Sequence, residues 1–264
     1  MPQADQNAPI LVSRDGAIAT VSFNNPEKRN AFNKPMWVAL RDAMNELSAD
    51  DDLRCVILRG AGEEAFAAGA DISEFESERS NQNQAQAYDQ MLNQALSAIY
   101  DCRHPTVAMI HGACMGGGLQ IAIQCDIRIS GESGKFGAPI KILGLAMPSA
   151  EIESILRVTG PAAMMELLLE GKVMGADEAY TKGVVSRVVP DEGLAAEAQA
   201  TAKRIAQGAP LTARWHKKFI HNRLETSNLT NEEVKGGYFY FDTEDFKEGV
   251  DAFLNKRRPA FKGK

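Results

Sequence analysis

The first apolar positions alternate with polar ones in runs too short for a helix. Residues 10–13 and 17–23 flank Arg14-Asp15-Gly16, and Asp-Gly supplies the positive backbone angles of a tight turn, so the chain is predicted to open with a β-hairpin. Helical spacing follows over 35–47. Continuous apolar runs at 53–58 and 106–110 read as buried strands, with a polar helix within 82–100 between them. The run 81–86 is either a solvated loop or the start of that helix. At Gly117 the spacing turns helical again, with Leu119, Ala122 and Ile123 on one side, and a strand is predicted over 126–130. Helices over 151–157, 161–169 and 176–182 are set apart by Gly160 and by Gly171 and Gly175, and Pro161 suits a first helical position. A last strand is expected at 184–189. Beyond Pro190 only helical patterns occur, at 192–206, 211–224 and about 231–255. Strands alternating with helices indicate an α/β protein, with 1–190 as its core and 191–264 as a helical region.

Two strand exits carry candidate chemistry. Ala65-Phe-Ala-Ala-Gly-Ala-Asp-Ile72 follows the first buried run, and Gly112-Ala-Cys-Met-Gly-Gly-Gly-Leu-Gln-Ile-Ala-Ile-Gln-Cys-Asp126 follows the second. Glycine and alanine keep side chains clear of the peptide N–H groups, and those in a helix's first turn have no partner inside the helix. An oxygen that becomes negative during a reaction is stabilised there, because the free amides and the helix dipole both favour anions. An oxyanion hole is the expectation.

Composition limits the partners. Lys and Arg number 29 against 35 Asp and Glu, a net charge of -6, so no global positive field recruits nucleic acid or an anionic membrane. The four cysteines show no CxxC spacing, and the sequence shows neither an apolar signal core nor a run approaching the ~20 apolar residues of a membrane span, so a soluble cytoplasmic protein is expected. No His or Cys cluster has metal-ligand spacing, and no GxGxxG or GxSxG motif occurs. No metal and no permanently bound cofactor are expected.

Taken with Asn25-Pro-Glu-Lys-Arg-Asn-Ala-Phe-Asn33, Phe136-Gly137 and Glu244-Asp-Phe-Lys-Glu-Gly-Val-Asp-Ala-Phe-Leu254, the two exits resemble the crotonase superfamily, the enoyl-CoA hydratase and isomerase group, over nearly the whole chain. The resemblance implies a spiral of strand-strand-helix turns with a C-terminal helical region that drives trimer formation, often as a dimer of trimers. It implies that the amides of Ala70 and Gly117 hold the carbonyl of an acyl-CoA thioester, coenzyme A entering only as part of the substrate. Backbone near Lys28, Arg29, Ala31 and Ile72 is implied to lie along the nucleotide end, and Ala68, Asp71 and Ile140 are also expected among the residues that bind the substrate or its CoA.

The departures from the family are equally informative. Hydratases carry one glutamate three residues after the second hole residue and another on the strand exit that follows Phe136-Gly137. This chain has Gln120 at the first position and Ile140 at the second. Neither side chain exchanges a proton near neutral pH, so the usual acid and base are both replaced. Glu151, in a predicted helix start with Ser149 near its cap, is the leading carboxylate; it either serves as the acid–base or merely favours the helix dipole. Gln120 either donates to substrate or simply lines the pocket. His111, Cys114 and Asp126 are read as structural, and Asp71 also as an amide cap; Glu153 is a weaker acid–base candidate than Glu151, and Gln124 extends the polar stripe of Gln120. Tyr238, Phe239, Tyr240 and Phe241 are placed in the last helix, and the basic tail 256–264 either reaches CoA phosphates in a neighbouring subunit or is solvated. The expected activity is enolate chemistry on an acyl-CoA, isomerisation or carbon–carbon lysis rather than hydration. The rivals are a non-catalytic acyl-CoA binding paralogue and an atypical hydratase.

Overall fold

The predicted hairpin forms one edge of a larger sheet. In the computed structural model, which describes residues 7–225 and 238–264, β1 (Ile10–Asp15) pairs antiparallel with β2 (Ile18–Phe23), which runs parallel to β3 (Cys55–Gly60). The sheet continues in parallel through β5 (Thr106–Ile110), β7 (Ile127–Gly131) and β10 (Arg187–Val189). A second sheet is built from β4 (Ala65–Ala67), β6 (Ala113–Met115), β8 (Lys135–Gly137) and β9 (Val173–Gly175), only the last antiparallel. Its strands are three residues each, too short to show a period, and sequence reading gave no sign of them.

The chain visits the sheets in turn, β3 then β4, β5 then β6, β7 then β8, and a helical segment follows each pair. These are the strand-strand-helix turns of the crotonase spiral. The first helix, α1 (Lys34–Ala49), starts where the Asn33 side chain accepts from the Met36 amide at 3.0 Å, and it buries Met36, Trp37, Leu40, Met44 and Leu47. After the one-turn α2 (Phe75–Glu78), α3 (Gln82–Tyr100) is capped in the same way by Asn81, so 81–86 is a helix start. Helix α4 (Gly117–Gln124) lies buried behind the second glycine-rich exit. The run α5 (Ser149–Met165) breaks at Gly160, whose φ 74, ψ 170 is not helical, so the two helices predicted on either side of that glycine are present, with Pro161 opening the second. Pro148 stands at the cap of α5, and Ser149, predicted near the cap, is the first helical residue.

Two expectations need correction. The strand predicted over 184–189 is confined to β10, because the amides of Val184 and Val185 are turned back to Ala179 O and finish α6 (Ala176–Thr181). The helix predicted over 231–255 falls partly outside the described residues. Within them, Phe239–Asp242 form a separate 3-10 turn, and Thr243, extended at φ -76, ψ 154, caps a new helix, α9 (Glu244–Leu254). The aromatic run thus precedes the last helix instead of lying in it.

Phe23, Phe32 and Phe66 pack edge to face in the core, with ring centroids 4.9 and 5.1 Å from that of Phe23. On the large sheet's other face α7 (Asp191–Ala206) buries Leu194, Ala198 and Ala202 against Ile18, Ile57, Val107 and Met109. Helix α8 (Pro210–Glu225) follows. The basic tail runs back along α9: Arg257 pairs with Glu248 and Asp251, and Asp245 accepts from the amides of Lys262 and Gly263.

Candidate active site

The two glycine-rich strand exits converge. Gly116, at φ 49 and ψ -114, turns the chain from β6 into α4 in a conformation L side chains rarely adopt, making Gly117 the first helical residue. A Cβ placed on Gly117 would lie 3.7 Å from the amide nitrogen of Ala70, an ordinary contact, and 3.1 Å from Trp37 Cζ2, so the Trp37 ring would have to give by a few tenths of an ångström to admit one. Phe32 bridges the segment around Ala70 by donating to Gly69 O and accepting from Asp71 N. That pairing skips the Ala70 N–H. Among the described residues neither the Ala70 nor the Gly117 amide is donated to a protein acceptor. Two neighbouring free N–H groups, one of them at a helix N-terminus, are able to hold a developing oxyanion.

Both amides border a cavity of about 280 Å³ whose wall is mostly apolar, with Ile72, Phe75, Leu92, Ile140 and Met147 among its lining residues. Gln120, one turn into α4, enters it, and its Nε2 donates to Glu151 Oε2 in a close contact. Glu151 is 6% exposed. Its position in the first turn of α5 made dipole stabilisation the ordinary reading, yet its carboxyl points inward to Gln120. Burial pushes that carboxyl from 4.5 up to about 7; the Gln120 bond and Arg79 oppose the rise, and Asp89 adds to it. A carboxyl poised near neutrality is suited to giving and taking protons. The Gln120 Oε1 is buried and has no hydrogen-bond partner among the described residues. Ile140 opens a short 3-10 turn at the cavity wall and brings no titratable group.

The segment assigned to the nucleotide end is stitched to the hole. Arg29 and Asn30 take left-handed backbone angles, φ 51 and 56, and Asn30 donates to Ala61 O and Ala65 O from a buried position. Arg29 O accepts from the Ala68 amide at 3.0 Å, holding Ala31 and its neighbours beside the first exit. Lys28 Nζ lies 2.6 Å from Asp71, whose carboxylate also caps Ser73 N. Lys28 and then Ser73 hold that carboxyl below its ordinary value. The Ile72 side chain is largely exposed at this end of the cavity.

The other polar candidates lie outside the cavity. Asp126 sits under α8, where burial alone would raise its pKa but His221, Lys217 and Thr106 bring it below the usual range. His111 is buried away from the lining, and burial lowers its pKa. Burial pushes the Cys114 thiol well above 9.0, which removes it as a nucleophile. Gln124 lines a different cavity, and Glu153 is exposed. Sequence reading missed Arg79, which is among the residues lining the cavity, and the Trp37–Tyr88 pair, joined at 3.0 Å. A lone arginine at the end of a four-residue helix has no spacing by which to announce itself.

A two-sheet spiral with two neighbouring free amides, one of them at a glycine-rich helix start, is the arrangement of a crotonase-type protein. The family model for enoyl-CoA hydratase/isomerase matches residues 13–264, and the chain belongs to that family. Among its relatives is a probable enoyl-CoA hydratase of Mycobacterium bovis, 35% identical over 254 residues, covering 96% of this chain and 97% of the relative. The crotonyl-CoA hydratase of Syntrophomonas wolfei is 30% identical over 254 residues, covering 96% of this chain and 97% of its own. A crystal structure of an enoyl-CoA hydratase/carnithine racemase from Magnetospirillum magneticum is similar at a TM-score of 0.95 and 50% identity, over 97% of this chain and 96% of that one.

Proposed function

We propose that the protein converts an acyl-CoA thioester through an enolate, with Glu151 as acid and base, in an isomerisation or carbon–carbon lyase reaction. In the isomerase form the base takes a proton from the carbon next to the thioester. The carbonyl oxygen gains the charge between the amides of Ala70 and Gly117, and the same carboxyl returns the proton further along the acyl chain. The observation that carries this reading is the buried Glu151 carboxyl in the cavity beside those amides, poised at about 7. Gln120 holds that carboxyl in place from α4.

Lys28, Arg29, Ala31, Ala68, Asp71 and Ile72 receive the CoA end, and Ile140 packs on the acyl chain. The helical region 191–264 assembles the chain as a trimer or dimer of trimers in the cytoplasm. The names of the relatives favour a second reading, hydration of a 2-enoyl-CoA. Product analysis separates the two: 3-enoyl-CoA offered to the wild type and to Glu151→Gln should be converted only by the wild type, while crotonyl-CoA hydration should be very slow. Fast hydration insensitive to Glu151 would contradict the isomerase or lyase reading. Saturable thioester binding with no product from any thioester would leave a binding paralogue.

A further inference from the structure

The residues lining the acyl cavity include three with polar side chains: Gln120, Glu151 and Arg79. The first two are engaged with each other. Arg79 is not spent in the same way. Its guanidinium lies over the rings of Phe75 and Tyr88, 5.0 and 4.8 Å from their centroids, and Nη2 donates to Asp89 at 2.9 Å. A guanidinium carries five N–H donors, and Asp89 is its one side-chain ion-pair partner among the described residues. The Tyr88 hydroxyl accepts from Trp37 Nε1, and Trp37 borders Gly117, so Arg79 is tied to the wall that carries the hole. Its charge also acts on Glu151.

A cavity meant for a plain alkyl chain gains nothing from a cation whose donors would be covered by methylene groups, since buried polar groups without partners cost free energy. The planar fork of arginine fits a carboxylate with two N–H groups, and two aromatic faces hold that fork in orientation. We propose that the acyl group of the substrate bears a carboxylate at its far end, received by Arg79, so that the substrate class is a dicarboxylic acid monothioester of coenzyme A. The proposal rests on the acyl-CoA reading above and adds what the acyl group is. Asp89 neutralises the guanidinium when the cavity is empty, and in the complex the guanidinium bridges two carboxylates.

The test is calorimetric binding of thioesters matched in chain length: propionyl- against malonyl-CoA, butyryl- against succinyl-CoA, and valeryl- against glutaryl-CoA. Coenzyme A is common to every pair, so a difference belongs to the acyl terminus and not to a phosphate. In the wild type at least one carboxylated member should bind about ten-fold more tightly than its partner, as expected for one charge-assisted hydrogen-bonded pair. Arg79→Met should erase that preference, and Asp89→Asn, which frees the guanidinium, should widen it. Equal or weaker binding of all three carboxylated thioesters overturns the proposal while leaving the acyl-CoA reading intact. A preference that survives Arg79→Met, or that shrinks in Asp89→Asn, overturns it too. Failure of every thioester to bind rejects the acyl-CoA reading and the proposal with it.

Discussion

Glu151 stands at the point where stability and activity pull in opposite directions. Burial raises its pKa to about 7 in the folded chain from an ordinary 4.5, so between those values the native state holds a proton that the unfolded state has released. Stability therefore falls as pH rises through this window, and above it the protein carries the full cost of a buried carboxylate. Glu151→Gln should melt at a higher temperature than the wild type at pH 8 and show little difference at pH 4, as followed by circular dichroism. The same variant should lose its reaction by about 10²–10⁴-fold, the usual worth of a general acid–base group. In the wild type, proton abstraction by the carboxylate should rise with pH to a plateau, with a midpoint near 7, and Glu151→Gln should lack that rise.

Gln120 fixes the other half of the pair. Gln120→Glu alone would set two carboxyls in contact in a buried place, where one of them stays protonated far above its usual pKa. Restoring the two hydratase-type glutamates at 120 and 140 therefore conflicts with Glu151 as it stands. Crotonyl-CoA hydration should rise more in Gln120→Glu/Ile140→Glu/Glu151→Gln than in Gln120→Glu/Ile140→Glu, measured by loss of the enoyl absorbance. Equal rates in the two variants would show that Glu151 does not face residue 120 in solution.

At the scale of elements, the site depends on where two strand exits end. Gly117→Pro deletes one of the free N–H groups at a position where helices accept proline, the first residue. Loss of one such donor costs about 10²–10³-fold in kcat. The ring would also press on Trp37, since a Cβ at Gly117 already falls 3.1 Å from it, so Trp37→Phe/Gly117→Pro provides a relieved background. Both variants should bind butyryl-CoA, and both should turn a thioester over about 10²–10³-fold more slowly than their parents. A folded variant that keeps its rate would make Gly117 a turn residue only.

These exits were legible because their signal is local. Small residues, an apolar run before them and a change of spacing at Leu119 all lie within a few positions. The long strands and amphipathic helices were legible for the same reason, each carrying enough turns or alternations to show its period. What escaped depends on contacts distant in sequence. The three-residue strands β4, β6, β8 and β9 exist because neighbours 20 to 50 residues away align with them, and nothing within any one of them encodes the pairing. The inward turn of Glu151 is set by Gln120, 31 positions earlier, and the placement of Arg79 by aromatic faces on two helices.

At the scale of the whole molecule, the described surface leaves several large apolar side chains outside the core. Ile142, Met165 and Leu169 are 76%, 59% and 71% exposed, and Phe253 and Leu254 on α9 are 84% and 73% exposed. Exposed apolar patches mark surfaces that meet a partner chain, a ligand or a membrane. Light scattering coupled to gel filtration should give three or six times the chain mass, and Phe253→Asp/Leu254→Asp should lower it if α9 lies in the interface. A monomer in the wild type would contradict the trimeric proposal. No described helix is long and apolar enough to cross a membrane.

In the proposed reaction one buried carboxyl beside two backbone amides makes and quenches an acyl-CoA enolate. Proton NMR of a saturated acyl-CoA in deuterium oxide reads this without knowledge of the natural substrate, because each enolate formed and reprotonated replaces a hydrogen beside the thioester with deuterium. The wild type should wash out that signal at pH 8, and Glu151→Gln, equally folded and equally able to bind the thioester, should leave it intact. Exchange at the wild-type rate in Glu151→Gln would contradict the account, as would its absence from a wild type saturated with ligand.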